Sequence, residues 1–272
     1  MMLDQTSIAD AKMRCRRYRR RILDISQRLP ALHIAPAFST IEIVDAVYNI
    51  LMRKDDDGRP TDTFIMSKGH GYMSQAMVLE DLGILPTTDL ETYCTSAGRL
   101  GAHPDYGVPG IAASTGSLGH GLGIAVGMAT ADRIRMIDRR TFVVIGDGEA
   151  QEGSIWEAIM AAPNRHLSNM VVFLDFNDYQ SLGRTTETHP HFDPVIDKVR
   201  SFGWEAADID GHDTNALVSA VANAKGEAPL FVICRTVKGQ GVSYMQNAPI
   251  WHYRSPNPEE YAIAIAELEG VS

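Results

Sequence analysis

The stretch that decides the fold reads FVVIGDGEAQEGSIWEAIMAAPNRHLSNMVVFLDFN and runs from Phe142 to Asn177. Two apolar runs of the β type, 142–145 and 170–174, enclose a segment with the pattern of a helix. The first run ends in Gly146-Asp147-Gly148, and the second leads to Asn177. This order predicts a strand, a crossover helix and a parallel strand, with an acid and an amide at the two strand ends.

The composition is that of an ordinary soluble protein. The chain has 272 residues, 44% hydrophobic and 22% charged, and this length allows one large α/β domain or two small ones. A formal net charge of -9 argues against binding to nucleic acids or acidic membranes. We find neither an apolar stretch of the roughly 18 residues that a spanning helix needs nor the apolar core of a secretory signal. We therefore expect a cytoplasmic protein with no nucleic-acid or membrane partner.

The three cysteines, Cys15, Cys94 and Cys234, are widely separated and include no Cys-x-x-Cys pair. This arrangement fits a reducing compartment and gives no zinc signature. We interpret all three as packing residues.

The first helix is expected over residues 8–29, with an apolar face and a very basic one. Seven cations fall within residues 12–21, and we expect a solvated or partner-facing surface more than a polyanion site. Ser39-Thr40-Ile41-Glu42 predicts a capping box at the start of the next helix.

Further loops fall where a parallel sheet binds its ligands. A short strand at 64–66 runs into Ser67-Lys68-Gly69-His70, and a later strand at 230–234 runs into a loop with Lys238. Strands that alternate with helices predict an α/β fold, a mostly parallel sheet with helices on both faces. Ligands of such sheets lie outside the carboxyl ends of the strands.

The segment 115–130 is a glycine-rich turn that enters a helix, and it has two possible uses. The amides at the helix start could receive an anion. Alternatively, Gly119, Gly123 and Gly127 could leave a bare stripe on which another helix packs.

Asp147 and Asn177 are candidate ligands of a magnesium ion. A carboxylate and an amide supply hard oxygens, and magnesium commonly takes one or two protein groups and completes its shell with phosphate oxygens and water. Either loop alone would more often be a simple strand-end turn. Together, in this order and spacing, they point to a metal-bound diphosphate.

This acid and amide resemble the signature of thiamine diphosphate enzymes. The other motifs are similar, in the same order, to those of the amino-terminal domain of transketolases. They are Leu32-His33, Ser67-Lys68-Gly69-His70, Gly101-Ala102-His103-Pro104, Thr115-Gly116-Ser117-Leu118-Gly119, Gly148 through Gly153, and Thr236-Val237-Lys238-Gly239. The resemblance covers nearly the whole chain and implies a single domain over residues 1–272 with the thiamine diphosphate-binding fold, of the diphosphate type.

The resemblance also implies which residues bind the cofactor. Magnesium would be held by Asp147, Asn177 and the backbone carbonyl of Tyr179. The diphosphate would lie near Gly146, Gly148, Lys238 and Lys68, and the aminopyrimidine near Gly116 and Leu118.

The same resemblance implies catalytic roles for His33, His70, His103, His252 and Glu152. His70 and His252 would lie near the diphosphate and thiazolium, and His33 and His103 near the hydroxyls and carbonyl of a ketose. Histidine suits proton transfer between such groups near neutral pH. Glu152 corresponds to an acid that in the family lies at the subunit interface and links two active sites.

The implied reaction transfers a two-carbon ketol unit from a ketose, a sugar phosphate or a similar anionic sugar, to an aldose. Two departures affect the expected specificity. His33-Ile34-Ala35 stands where the family usually has His-Pro-Gly, and Gly119-His120-Gly121 stands where it has Gly-Gln-Gly. We expect donor or acceptor specificity to differ accordingly.

Chain length adds a prediction about partners. Usual transketolases continue with a pyrimidine-binding domain and a third domain, for which 272 residues leave no room. We therefore expect the amino-terminal subunit of a split transketolase, active only with a carboxyl-terminal subunit encoded by an adjacent gene, in a heterotetramer with two copies of each chain. The alternatives are a subunit of a 2-oxoacid dehydrogenase or pyruvate-sugar synthase, or a noncatalytic nucleotide-binding module.

Overall fold

A parallel sheet forms the centre of the fold. The computed structural model describes residues 5–181 and 183–270. Within them, the strands are β1 Thr63–Met66, β2 Thr141–Gly146, β3 Met170–Phe176, β4 Tyr179–Gln180, β5 Gly183–Arg184, β6 Glu205–Asp210 and β7 Leu230–Arg235. The sheet has the order β1-β2-β3-β7-β6 with every neighbouring pair parallel, whereas β4 and β5 form a separate antiparallel hairpin. The predicted parallel sheet is confirmed.

Helices cover both faces of this sheet. They are α1 Gln5–Ser26, α2 Ile34–Phe38, α3 Ile41–Ala46, α4 Tyr72–Asp81, α5 Thr87–Glu91, α6 Gly121–Ile134, α7 Gly153–Asn164, α8 Thr185–Thr188, α9 Val195–Ser201, α10 Thr214–Ala222 and α11 Pro258–Glu269. Among the helices that the structure describes, none has the length and apolar character needed to cross a membrane.

The core has two parts because successive side chains of a strand point to opposite faces. Phe142 and Val144 of β2 pack with α1 to α4, whereas Val143 and Ile145 pack with α6, α7 and α9. Burial on both faces explains why β2 and β3 read as continuous apolar runs.

The strand register brings the predicted site residues to one edge. Gly146 at the end of β2 lies opposite Asp175 of β3, and Phe176 lies opposite Arg235 of β7. Asp147, Asn177 and Thr236 therefore leave the sheet side by side at its carboxyl edge, as the sequence predicts.

The predicted capping box at Ser39 to Glu42 is wrong. Helix α3 begins after Thr40 without a side-chain cap. The Ser39 hydroxyl instead donates to Asp175 at 2.7 Å, and the Glu42 carboxylate accepts from Arg19. An unpaired buried charge costs more free energy than a helix end without a side-chain cap. Ser39 and Glu42 therefore form hydrogen bonds with buried charged groups instead of capping the helix.

The interpretation of all three cysteines as packing residues is also wrong in one case. Cys15 and Cys234 are buried, but Cys94 is exposed.

The basic face of α1 is largely neutralised within the chain, because several of its arginines pair with acids. The pairs are Arg14–Asp45, Arg17–Asp81, Arg19–Glu42, Arg20–Glu269 and Arg21–Glu80.

Candidate active site

Asp147 and Asn177 are fixed by hydrogen bonds across the ends of β2 and β3. The carboxylate of Asp147 accepts the N–H groups of Gly148 at 2.8 Å and Asp178 at 2.6 Å. The amide of Asn177 donates to Asp175 at 2.9 Å, and its oxygen accepts the N–H of Tyr179 at 3.0 Å. Both side chains are buried, so their orientations are set before any ligand arrives.

These residues fit a magnesium ion. Burial, with a further contribution from the charge of Asp175, raises the pKa of Asp147 to about 7. Among the described residues, no basic side chain forms a salt bridge with Asp147. A divalent cation would offset this cost of a buried carboxylate. The described residues contain no group of three or more His, Cys, Asp or Glu side chains that could hold a metal, so the remaining ligands would be backbone, cofactor or water oxygens.

Asp175 is a buried hub that the sequence reasoning missed. Its carboxylate forms an ion pair with Lys68 and accepts hydrogen bonds from Ser39, Asn177 and Thr236. Burial alone would raise the pKa of Asp175, but the charge of Lys68 holds it below its ordinary value. The available signal was an acid directly between the apolar run 170–174 and Phe176, because a charge at such a buried position requires partners.

Lys68 lines the cleft beside Asp147, but its ammonium group is engaged by Asp175 and by the carbonyl of Pro36 at 3.2 Å. Its expected assistance to a diphosphate would therefore act at a distance, through charge.

The histidines predicted to be catalytic form one cluster. The ring of His33 lies 5.9 Å from that of His70, 5.6 Å from His103 and 5.4 Å from His252, measured between centroids. His70 and His252 are 5.3 Å apart. The ring of Tyr253, which sequence reasoning missed, lies 4.5 Å from His33. Loops far apart in the chain thus build a single imidazole-lined surface.

The environment keeps several of these imidazoles uncharged. Burial is the main cause that lowers the pKa of His33 to about 4 and that of His252 to about 3, and nearby positive charges add to it. Burial and Lys68 hold the pKa of His70 well below its usual value. Near pH 7 these rings are neutral and can both donate and accept hydrogen bonds.

Lys238 lies between the histidine cluster and Tyr179. Its Nζ lies 3.0 Å from Nδ1 of His252 and 5.7 Å from the centroid of the Tyr179 ring. Burial and the charge of Lys68 lower the pKa of Lys238 to about 8. Because an ammonium group only donates, Nδ1 of His252 accepts, and the ring proton is on Nε2.

A cleft of about 490 Å³ lies between these groups. Its lining includes many of the predicted residues, namely Lys68, His70, Leu118, Gly146, Asp147, Gly148, Glu152, Asn177, Tyr179 and His252. Gly116 lies beside the histidine cluster, since a Cβ placed there would be 3.8 Å from His103. The structure therefore brings the predicted cofactor and catalytic residues together.

Glu149 is a second residue that the sequence reasoning missed. Its buried carboxylate accepts from the hydroxyl of Ser67 at 2.6 Å and from the N–H groups of Gly119 at 3.0 Å and Gly146 at 3.3 Å. It thereby joins the loops after β1 and β2 to the turn before α6. The sequence placed it in a polar loop, where nothing marked it as buried.

Comparisons with known proteins agree with this arrangement. The family model described as the thiamine diphosphate-binding domain of transketolase matches residues 13–253. The chain is 35% identical to a subunit of the apulose-4-phosphate transketolase of Phocaeicola vulgatus, over 92% of this chain and 90% of the relative. It is 38% identical to the 6-deoxy-6-sulfo-D-fructose transketolase subunit SqwG of a Clostridium species, over 87% of this chain and 88% of the relative.

Solved structures show the same fold. The transketolase from Leishmania mexicana superposes with a TM-score of 0.86 and 26% identity, covering 95% of this chain. The chain spans only 41% of the length of that enzyme. The family match, the relatives and the fold together show that this chain belongs to the transketolase family, whose thiamine diphosphate-binding domain it contains.

Proposed function

We propose that the chain is the amino-terminal subunit of a two-chain transketolase that uses thiamine diphosphate and magnesium. It would transfer a two-carbon ketol unit from an anionic ketose to an aldose. The observation that carries the proposal is that Asp147, Asn177, His70 and His252 line one cleft at the carboxyl edge of the sheet, with the ring of His33 packed against both histidines. Relatives named as subunits of transketolases that act on a sugar phosphate or a sulfo-sugar support it.

In this proposal different residues of the cleft bind different parts of the cofactor. Asp147, Asn177 and the carbonyl of Tyr179 would hold magnesium. The diphosphate would lie along Gly146, Gly148 and Lys238, and the aminopyrimidine would lie against Gly116 and Leu118. When bound, thiamine diphosphate supplies the nucleophilic carbon and the electron sink for the two-carbon unit.

The histidines would handle the protons. When the bond between the second and third carbons of the ketose breaks, the hydroxyl on the third carbon loses a proton, and the aldehyde oxygen of the acceptor later gains one. Neutral imidazoles can accept the first proton and supply the second. A sugar hydroxyl would contact His33 through Nε2, because its Nδ1 is buried away from solvent.

The partner subunit would supply the remaining wall of the cleft. Glu152 and Leu118 are exposed beside it, and a Cβ at Gly123 or Gly127 would meet nothing within 4 Å. This open stripe on α6 and Glu152 would face other chains in a heterotetramer with two copies of each subunit. The proposed compartment is the cytoplasm, in keeping with the cysteines, which are all free.

Reconstitution tests the proposal. The purified chain alone should show negligible ketol transfer, because the acid that activates the aminopyrimidine in transketolases belongs to another domain. Adding the product of the adjacent transketolase-like gene should restore turnover with a sugar phosphate donor, at about 100-fold or more above the lone chain. Full activity of the lone chain would contradict the need for a partner.

A substitution in the cluster tests the catalytic role of histidine. His252→Asn in the reconstituted enzyme should lower kcat by about 100-fold, the usual contribution of a positioned acid or base. His166→Asn serves as the matched control, because His166 is exposed and precedes β3 at the opposite end of the sheet. Equal kcat values for the two variants would refute the role assigned to His252.

A further inference from the structure

The loop that carries Lys238 is tied to the end of β6 through a histidine. Nε2 of His212 accepts the backbone N–H of Val237 at 2.9 Å. Nδ1 of the same ring lies 3.0 Å from a carboxylate oxygen of Glu42. Because Nε2 accepts a hydrogen bond, the proton of the neutral ring is on Nδ1 and points to Glu42.

Glu42 holds the imidazole in this orientation. Its carboxylate receives two hydrogen bonds from Arg19, at 2.7 and 2.8 Å, and Arg19 also donates to the carbonyl of Phe38 at 3.0 Å. Burial alone would raise the pKa of Glu42, but Arg19 and His212 lower it to about 2. The carboxylate is thus ionised near neutral pH and remains an acceptor for the Nδ1 proton.

His212 is built into its place by the backbone before it. The N–H of Gly211 donates to the carbonyl of Arg235 at 2.9 Å. A Cβ on Gly211 would lie 2.5 Å from the side chain of Thr236. Only glycine permits the residue after β6 to come this close to Thr236. This approach places the side chain of His212 next to the N–H of Val237.

The hydrogen bond of the Val237 N–H differs from those of the neighbouring backbone N–H groups in the loop. The N–H of Thr236 donates to Phe176, that of Gly239 donates to Ala35, and that of Asn247 donates to the carbonyl of Lys238. Each of these is a bond between backbone groups. The N–H of Val237, the residue immediately before Lys238, instead donates to the side chain of His212.

We propose that His212 is a positioning residue for Lys238, acting through the N–H of Val237 and oriented by Glu42 and Arg19. It fixes the backbone from which the lysine side chain reaches His252 and Tyr179, which line the cleft. The inference rests on the proposed function, because it takes Lys238 as a contact of the diphosphate.

Two substitutions distinguish the roles of the two ring nitrogens of His212. His212→Gln places a carboxamide oxygen near the position of Nε2, where it can accept from Val237. His212→Asn reaches only the position of Nδ1 and leaves that N–H without an acceptor. With the reconstituted complex and magnesium, titration calorimetry should show that thiamine diphosphate binds His212→Asn about tenfold more weakly. His212→Gln should remain within about threefold of the wild type.

Asp213→Ala is the control for stability. Asp213 caps α10 by accepting from the N–H groups of Asn215 at 2.8 Å and Ala216 at 3.3 Å, on the side of the turn that leads away from Val237. It should lower the Tm of the cofactor-free complex without changing the Kd for thiamine diphosphate. The inference is overturned if His212→Asn binds like the wild type, if Gln and Asn weaken binding alike, or if Asp213→Ala weakens binding as much as His212→Asn.

Lys238→Met distinguishes this inference from the function on which it rests. We expect it to weaken thiamine diphosphate binding at least as much as His212→Asn. If Lys238→Met weakens binding and His212→Asn does not, only the positioning role is wrong. If Lys238→Met leaves the Kd unchanged, the diphosphate contact of the proposed function is wrong, and the positioning role falls with it.

Discussion

Replacing Asp147 with Asn should weaken the magnesium-dependent binding of thiamine diphosphate by about 100-fold or more. The substitution removes the negative charge expected to bind the ion. The carboxylate of Asp147 accepts the N–H groups of Gly148 and Asp178. The N–H₂ of an asparagine would face either one of these donors or the ion, and it can bind neither. Calorimetric titration of the reconstituted complex, with and without magnesium, measures the effect.

The same variant should keep its fold. Burial raises the pKa of Asp147 to about 7, so the ionised carboxylate costs stability as the pH rises from its unfolded value of about 4 through 7. The neutral amide avoids that cost, and the Tm of the metal-free variant at pH 8 should match or exceed that of the wild type. Asp56→Asn, on an exposed loop, is the matched control. Unchanged cofactor retention in Asp147→Asn would show that the ligand assignment is wrong.

Lys68→Met should destabilise the metal-free protein by about 3–5 kcal/mol, because it leaves the buried charge of Asp175 without its cation. Both side chains are nearly inaccessible to solvent, with exposed fractions of 2% for Lys68 and 0% for Asp175. The neutral donors Ser39, Asn177 and Thr236 remain, but they do not cancel a charge. Urea unfolding in the presence of a chelator gives the free energy difference.

The loss should depend on pH in a defined direction. Lys68 holds the pKa of Asp175 below its ordinary value, so the pair contributes stability above the unfolded pKa of about 4 and loses it as the pH falls through the lower folded value. The difference between Lys68→Met and the wild type should therefore be largest at neutral pH and shrink below about pH 4. Adding Asp175→Asn to Lys68→Met should recover part of the stability. A double variant no more stable than the single one would show that an unpaired charge is not the cause.

The closeness of Asp147 and Asn177 could be predicted from the sequence because it depends on local order. Apolar runs fix where β2 and β3 end, and parallel strands end at a common edge, so Asp147 and Asn177 must come together. The four clustered histidines could be assigned only through resemblance, since each occupies a separate loop.

The support beneath the site could not be predicted, because it depends on pairings between distant positions. Asp175 takes its partners from positions 39, 68 and 236, and His212 connects Glu42 to Val237. The local pattern at Ser39 and Glu42 even gave a wrong prediction, a capping box that the structure does not form. Buried charges selected their partners from the whole fold rather than from the neighbouring turn.

One titration tests most directly whether this cleft is a magnesium-dependent thiamine diphosphate site rather than a general nucleotide site. The reconstituted complex would be titrated with thiamine diphosphate in magnesium, in a chelator, and in magnesium with excess ADP. The account predicts binding that requires magnesium and that ADP does not displace. Tighter binding of ADP, or equal binding of thiamine diphosphate in the chelator, would contradict it.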